Sequence, residues 1–522
     1  MSAATEPGRR VGAAAAASAG ERLPLASAAR AAALAAAGVA VAGFLAVALL
    51  RISYPFQLEW LEGESLHYLQ RAIAGQTLYP EPSLDFIPFV YTPLYYHLSA
   101  LVAGVAGASL PTLRLVSLLT ALGSLALLFE IARRETGRVA AGVLAAGLFA
   151  ATYRASGAFL DLARVDSLFL LFSLAGLILA AWGRASASAV AAGVLAAAAW
   201  QTKQLAAIVF LPVIVYELWR HRRRGLVLLA ATAVAGGASL LAAAAWHGPW
   251  YRFYVIDLPA SHGLRPRGLV AFWTEDVAAT LPIAVVLTVL YLLCPGRGAG
   301  RARYGVVAVG LVAAAWVGRL NPGAYDNVRL PLFAALGLGG ALGAARAAEL
   351  LTALSDRALR QRGLVVLQLA IVVQLAALAY DPRPLLPSAA DRTAGDQLVA
   401  RLRALDGPVL LPTDGYLALL AGKPGHAHLM AIQDASGELS VAPSEHAGPL
   451  LVELREALRA RQFAAVVLDD ARLLEEEVVP HYRLAGPVFV SDQVFWPPTG
   501  HPFRPSWWYE PAAPPPRPRP GR

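Results

Sequence analysis

The chain has 522 residues, 57% of them hydrophobic and 15% charged, with a formal net charge of +9. Soluble globular proteins run at roughly 45–50% apolar and about 25% charged, so these figures indicate a membrane protein and exclude a disordered chain, a collagen-like fibre and an ordinary cytosolic enzyme. The single cysteine, Cys294, excludes a disulfide framework and any cysteine-based zinc site.

Residues 31–50 (AAALAAAGVAVAGFLAVALL) supply the about 20 apolar residues that a membrane helix needs. Arg9, Arg10, Arg22 and Arg30 precede them and predict a cytoplasmic N-terminus. The apolar core of a cleaved signal peptide is normally only about 7–15 residues, so the stretch reads as a retained helix. Ten further spans are predicted at 111–131, 139–153, 165–182, 188–202, 204–219, 226–246, 278–294, 304–318, 330–345 and 364–380.

The loop charges test this count. Arg133, Arg134 and Arg138 share one connection; Arg184 lies in the next of the same parity, followed by the run Arg220, Arg222, Arg223 and Arg224. Arg297, Arg301 and Arg303 come next, then Arg346, Arg357, Arg360 and Arg362. Every second connection is thus basic and compact, as the positive-inside rule requires. Eleven spans place the C-terminus outside the membrane. Residues 93–107 (PLYYHLSALVAGVAG) are short and interrupted, and counting them would invert the pattern downstream, so they read as a helix at the outer face. The positive net charge is then largely orientation, and a nucleic-acid partner drops out. Arginine replaces lysine everywhere except at Lys203 and Lys423, which with the alanine richness points to a GC-rich bacterial genome and a bacterial cytoplasmic (inner) membrane.

After Tyr380 the charge density becomes ordinary. Residues 391–405 and 447–461 read as helices, and VLLPT (409–413), AAVVLDD (464–470) and VFVSDQVFW (488–496) as strands. The expected organisation is a polytopic α-helical membrane domain over 1–380 with outer juxtamembrane helices, a small α/β domain outside the membrane over 381–505, and a Pro/Arg-rich disordered tail over 506–522.

With this topology the polar and aromatic residues gather on the outer face. Residues 51–92 carry Glu59, Glu62, Glu64, Glu81 and Asp85, with 64–74 patterned as an interfacial helix whose start Glu64 would favour. Glu59 and Glu81 read equally well as a solvated loop face. Glu62 and Glu64, crowded by Trp60 and Tyr68, read as functional. In YRASGAFLDLARVDS (153–167), Asp161 and Asp166 flank Arg164, and either carboxylate is a candidate partner for it. Lys203, in the turn QTKQ, suits a phosphate as a compact cation, or else snorkels to lipid headgroups. Arg252, Arg265 and Arg319, with Tyr325, lie in outer loops where the positive-inside rule disfavours arginine, so anion binding is the simplest reason for them. No His/Asp spacing makes a convincing metal site, and His262 alone is weak evidence for one.

E64SLHYLQRAIAGQTLY79, Y91TPLYY96 and LARVDSLF (162–169) together resemble the GT-C superfamily of polyprenyl-phosphate-sugar glycosyltransferases, nearest the protein O-mannosyltransferase and lipid A aminoarabinose transferase families. The resemblance covers about the first 330 residues. It implies a membrane enzyme that moves a sugar from a polyprenyl-phosphate donor to an acceptor hydroxyl of a lipid, glycan or protein at the outer membrane face. It also implies a carboxylate base, with Glu64 the nearest match, Glu62 its rival and Asp166 in support. The family's first-loop acid is Asp, and its Lys-Pro-Pro-Leu appears here as Tyr91-Thr92-Pro93-Leu94. The phosphate-binding task then passes to Lys203, Tyr91, Asp161, Tyr325 or the outer arginines. No cofactor is implied with certainty, and a divalent metal requirement stays open. A carrier or flippase for a lipid-linked or anionic substrate is the main alternative, although no internal repeat supports it. A non-catalytic envelope assembly partner is the third reading.

Overall fold

The computed structural model describes residues 24–294, 300–441 and 447–512. Arg9, Arg10, Arg22 and Arg297, which entered the topology argument, lie outside these ranges.

The first helix, α1 (Pro24–Arg51), runs through the apolar stretch read from the sequence. A buried loop leads to α2 (Glu62–Ile73), and the short α3 (Leu94–Ala106) follows. The helices α4 (Leu110–Thr136), α5 (Val139–Ala151), α6 (Asp166–Trp182), α7 (Ser186–Trp200), α8 (Ala206–Arg220) and α9 (Arg222–His247) then succeed one another with short connections. Local chemistry sets their ends. The Ser109 hydroxyl accepts from the Thr112 amide at 3.3 Å to open α4, and Gly137, at φ +69°, closes it. Beyond α9 come α10 (Pro282–Leu293), α11 (Gly300–Leu320), α12 (Leu330–Thr352) and α13 (Arg357–Ala377). Close packing rests on small residues: a methyl at Gly147 of α5 would overlap Ala37 of α1.

Among the described residues six helices are long and apolar enough to cross a membrane: Leu25–Arg51, Leu110–Thr136, Arg222–His247, Gly300–Leu320, Asp326–Thr352 and Arg357–Ala377. Each of the other predicted spans is also a helix, but a shorter one. The segment expected as one straight span at 278–294 differs: Gly268–Ala279 and Pro282–Leu293 meet at 94°. Pro282 lacks an amide hydrogen and cannot continue the preceding helix. The backbone groups freed at the break are taken up by buried Gln374 of α13, which accepts from Ile283 N at 3.0 Å and donates to Thr280 O at 3.3 Å. An apolar environment tolerates such a break only where side chains satisfy it.

The C-terminal residues add α14 (Ala389–Arg403), α15 (Leu429–Ala435), α16 (Ala447–Arg459) and a sheet. The sheet consists of β1 (Val409–Leu410), β2 (Ala465–Asp469), β3 (Tyr482–Pro487) and β4 (Pro505–Pro511) in the order β1-β2-β4-β3. β1 runs parallel to β2, and β4 pairs antiparallel with both β2 and β3. Two strand expectations need correction. Residues 488–496 are not a strand: Phe495 has φ +66°, and the loop is tied back by Arg504, which donates to Val494 O at 2.6 Å. The segment expected to begin the tail at 506 is instead strand through Pro511, because Trp507, Trp508 and Tyr509 pair with β2 and β3.

This unit sits on the loops that follow α1 and α2. Gln57 donates to Asp414 Oδ1 at 2.7 Å, Thr499 N to Leu58 O at 3.1 Å, and Ala427 N to Leu84 O at 2.8 Å. Gly63 at the start of α2 lies against the Tyr416 ring, inside the space a Cβ would need. Gly63→Val is expected to destabilise the protein by about 1–3 kcal/mol through overpacking, read as a lowered Tm; an unchanged Tm would mean that the contact is slack.

Candidate active site

Backbone contacts bring two of the outer loops together. Leu94 N donates to Gln201 O at 2.9 Å and the Thr92 hydroxyl to Trp200 O at 3.0 Å, so the Tyr91-Thr-Pro-Leu segment docks on the QTKQ turn. Tyr91 and Lys203 thereby share one wall of a cavity of about 400 Å³. Gln204, His262, Asn321, Tyr325 and Asn327 add polar groups, and Leu205, Ile208, Val317 and Val328 add apolar ones. Met430, Asp434 and Leu439 of the C-terminal unit close it from above.

Two buried charge networks stand behind that wall. Lys203 Nζ lies 2.6 Å from Asp166 Oδ1, which also accepts from Asn327 Nδ2 at 3.0 Å. Asp166 Oδ2 is buried without a hydrogen-bond partner, so the carboxylate retains an acceptor for an incoming group. In the second network Arg164 donates to Glu59 Oε2 and to the Tyr91 hydroxyl, both at 3.0 Å. Burial pushes the Glu59 carboxyl up to about 7, with Arg164 pulling the other way. Removing either partner of such a buried pair would strand the other charge.

The structure corrects several sequence expectations. Glu59 is not on a solvated loop face: its side chain is 2% exposed and holds Arg164. Arg164 therefore pairs with neither Asp161 nor Asp166. Asp161 is turned to another partner: both its oxygens accept from Arg51 at 2.7 Å and one also from Tyr153 at 2.6 Å, all buried. The Glu62 carboxylate is fully engaged: it accepts twice from Arg114, and from the amides of Ala163 and Leu58, both at 2.7 Å. Burial favours its neutral form, but Arg114 and the two amides outweigh it and lower its carboxyl below the usual range. Glu64 is buried beside His67 at 3.4 Å and does not line the cavity; burial raises its carboxyl despite the histidine.

The outer arginines are likewise elsewhere. Arg252 is 76% exposed and lies 3.4 Å from Asp257. Arg265 is exposed and donates to Pro322 O. Arg319 is spent on buried Asp276, 2.9 Å away, which it shares with Arg329. Tyr91, Lys203 and Tyr325 line the cavity, and Asp166 stands directly behind Lys203. Sequence reasoning missed Asp434, the one carboxylate lining this cavity among the described residues, whose Oδ1 lies 2.7 Å from His262 Nε2. No motif marks it. Arg114 was also missed, because it lies inside an otherwise apolar span, where an ionisable residue is itself the signal. Among the described residues no group of three or more His, Cys, Asp or Glu side chains is arranged to hold a metal ion.

Residues 90–250 match the family model of dolichyl-phosphate-mannose-protein mannosyltransferase, the stretch that supplies Tyr91, Arg164, Asp166 and Lys203. Among solved structures the whole architecture is similar to ArnT from Cupriavidus metallidurans. In complex with undecaprenyl phosphate that protein has a TM-score of 0.58 at 14% identity, over 86% of this chain and 95% of that one. The fold is shared with ArnT. ArnT in its apo state gives 0.56 at 14% identity over 87% and 95% of the two chains. The archaeal oligosaccharyltransferase AglB from Archaeoglobus fulgidus, in complex with an inhibitory peptide and a dolichol-phosphate, gives 0.54 at 13% identity over 84% of this chain and 69% of that one. No curated protein matches the chain in sequence.

Proposed function

We propose that the protein is an inverting membrane glycosyltransferase that moves a sugar from a polyprenyl-phosphate donor to an acceptor hydroxyl at the outer face of a bacterial cytoplasmic membrane. The observation that carries this reading is that Lys203 lines one cavity together with the apolar side chains of Leu205, Ile208 and Val317. A polyprenyl phosphate needs that pairing, a cation for the phosphate and apolar surface for the first isoprene units. Both ArnT and AglB, in the structures above, hold polyprenyl phosphates. On this reading all eleven predicted helices cross or enter the bilayer, with the N-terminus inside and residues 381–512 outside.

The chemistry follows from the donor. Its sugar already carries a good leaving group, so no acid is needed at the departing oxygen. Lys203 would offset the charge that develops on the phosphate, with Tyr91 offering a hydroxyl beside it. Asp166 and Asn327 would hold Lys203 in place. Glu59 is preferred to Glu64 as the base: neither carboxylate lines the cavity, but that of Glu59, at about 7, is matched to proton transfer near neutral pH and is connected to the cavity wall through Arg164 and Tyr91. The acceptor oxygen gives its proton to Glu59 and bonds to the anomeric carbon as the carbon–oxygen bond to phosphate breaks. The carbon inverts, and polyprenyl phosphate leaves with the electron pair.

Lys203→Met is expected to weaken binding of undecaprenyl phosphate by about 10–100-fold, the order of a charge-assisted hydrogen bond of about 1.5–3 kcal/mol. Ligand titration followed by native mass spectrometry reads this, and unchanged affinity would remove Lys203 from the site. The function itself is tested by mass spectrometry of lipid-linked sugars and envelope glycans in a deletion strain. A missing glycan with accumulated donor supports the proposal, and an unchanged inventory overturns it.

A further inference from the structure

A second cavity, of about 800 Å³, opens at the opposite end of the helical body between α1, α5, α12 and α13. On α1, Arg30 at this cavity and Arg51 at the outer end are 21 residues apart, about 31 Å at 1.5 Å per residue. That is the thickness of a bilayer's hydrocarbon core, about 30 Å, so the two cavities belong to opposite leaflets.

The space exists because of what the facing helices carry. α1 and α5 touch at Ala37 and Gly147, and beyond that contact the walls are largely alanine, including Ala141 of α5 and Ala341, Ala344 and Ala348 of α12. Methyl groups do not fill the gap between four helices, and an empty apolar void forfeits dispersion contacts on every side. The polar end is basic: Arg30 and Arg138 line it together with Gln368. Arg138 has only a distant carboxylate, Glu349 at 3.7 Å, and both side chains are more than two-fifths exposed. Arg30 has no carboxylate partner among the described residues. An apolar slot with two incompletely neutralised arginines at the membrane surface matches one chemistry, an acyl chain ending in an anionic headgroup.

We infer that this cavity is a binding site for an anionic glycerophospholipid of the cytoplasmic leaflet, with its acyl chain between α5 and α12 and its phosphate between Arg30 and Arg138. The site is independent of the proposed catalytic reading, since none of its residues approaches the outer cavity.

The test uses the full-length protein in detergent, titrated with palmitoyl-oleoyl phosphatidylglycerol or with phosphatidylcholine of the same chains, and read by native mass spectrometry and thermal shift. The wild type is expected to retain phosphatidylglycerol about tenfold or more over phosphatidylcholine, as two headgroup–arginine contacts predict. Arg30→Gln with Arg138→Gln should bring the two lipids to parity. Ala341→Leu with Ala344→Leu should abolish retention of phosphatidylglycerol with both arginines intact, while a cooperative thermal transition within a few degrees of the lipid-free wild type shows that the variant is folded. Equal binding of the two lipids by the wild type would make the cavity a plain apolar gap. Retention that survives the leucine variant would reduce it to surface charge, a shift with inorganic phosphate alone would make it an anion site, and no retained lipid would leave another occupant such as residues 1–23. Each of these four results overturns the proposal.

Discussion

Glu59→Gln is expected to lower sugar transfer by about 10²–10⁴-fold, the usual contribution of a positioned general base, while binding of undecaprenyl phosphate stays within a few-fold of wild type. The amide keeps the shape and a hydrogen-bond acceptor for Arg164 but takes no proton. In the wild type the carboxyl must be ionised to act, and burial places its titration at about 7. Transfer should therefore rise with pH through about 7 and level off above it, following a single ionisation. Glu64→Gln serves as the control, because Glu64 is paired with His67, whereas Glu59 is linked through Arg164 to Tyr91 of the cavity wall. Its transfer rate should remain within a few-fold of wild type. If the two variants exchange behaviours, the acid nearest the family motif is the base after all, and the geometric assignment is wrong.

Arg114→Met should have the largest effect on folding. Arg114 is fully buried in α4 and donates to both oxygens of Glu62, to Tyr54 O at 2.5 Å and to Phe56 O at 2.6 Å. The variant leaves Glu62 charged and buried with only two amides, at a cost of about 3–5 kcal/mol. The expected result is a strongly lowered Tm and little protein accumulating in the membrane. Glu62→Gln in the Arg114→Met background should recover part of the loss by removing the stranded charge. A folded Glu62→Gln single variant with normal Tm and no transfer would instead return Glu62 to the chemistry.

Much of the fold was legible because its signals are local. Twenty apolar residues read as a helix whatever they later touch, and the alternation of basic connections ordered the helices. The break at Pro282 shows where locality ended: apolar composition continues across 278–294, and only Gln374, far along the chain, explains how the bent backbone is satisfied. β4 was read as tail because Pro505 and Pro511 frame it and the Pro/Arg-rich end follows, whereas its pairing is with distant strands.

The site divides along the same line. Lys203 stood out as one of two lysines in an arginine-rich chain, and Asp166 as an acid at the head of a span. Which acid of the first loop faces which partner was not legible. Glu59, Glu62 and Glu64 lie within six residues, and their environments differ through Arg164, Arg114 and His67, which come from different parts of the chain. A carboxylate's role follows from its partners, and three-dimensional partners leave no trace in spacing. The outer arginines misled for the converse reason: each has a local use, such as the salt bridge from Arg319 to Asp276, that outer-loop charge counting cannot separate from anion binding.

The wall of the outer cavity begins at Leu61 and ends at Leu439. A chain emerging N-terminus first completes Lys203 and its phosphate-facing turn early, but Met430, Asp434 and Leu439 arrive only after the last membrane helix, α13, has been made. On the proposed topology the nascent protein passes through a stage in which the helices through α13 are made and the cavity still lacks that part of its wall. On the same reading the site is complete only when the final quarter of the chain has been exported and has closed over the loops made first.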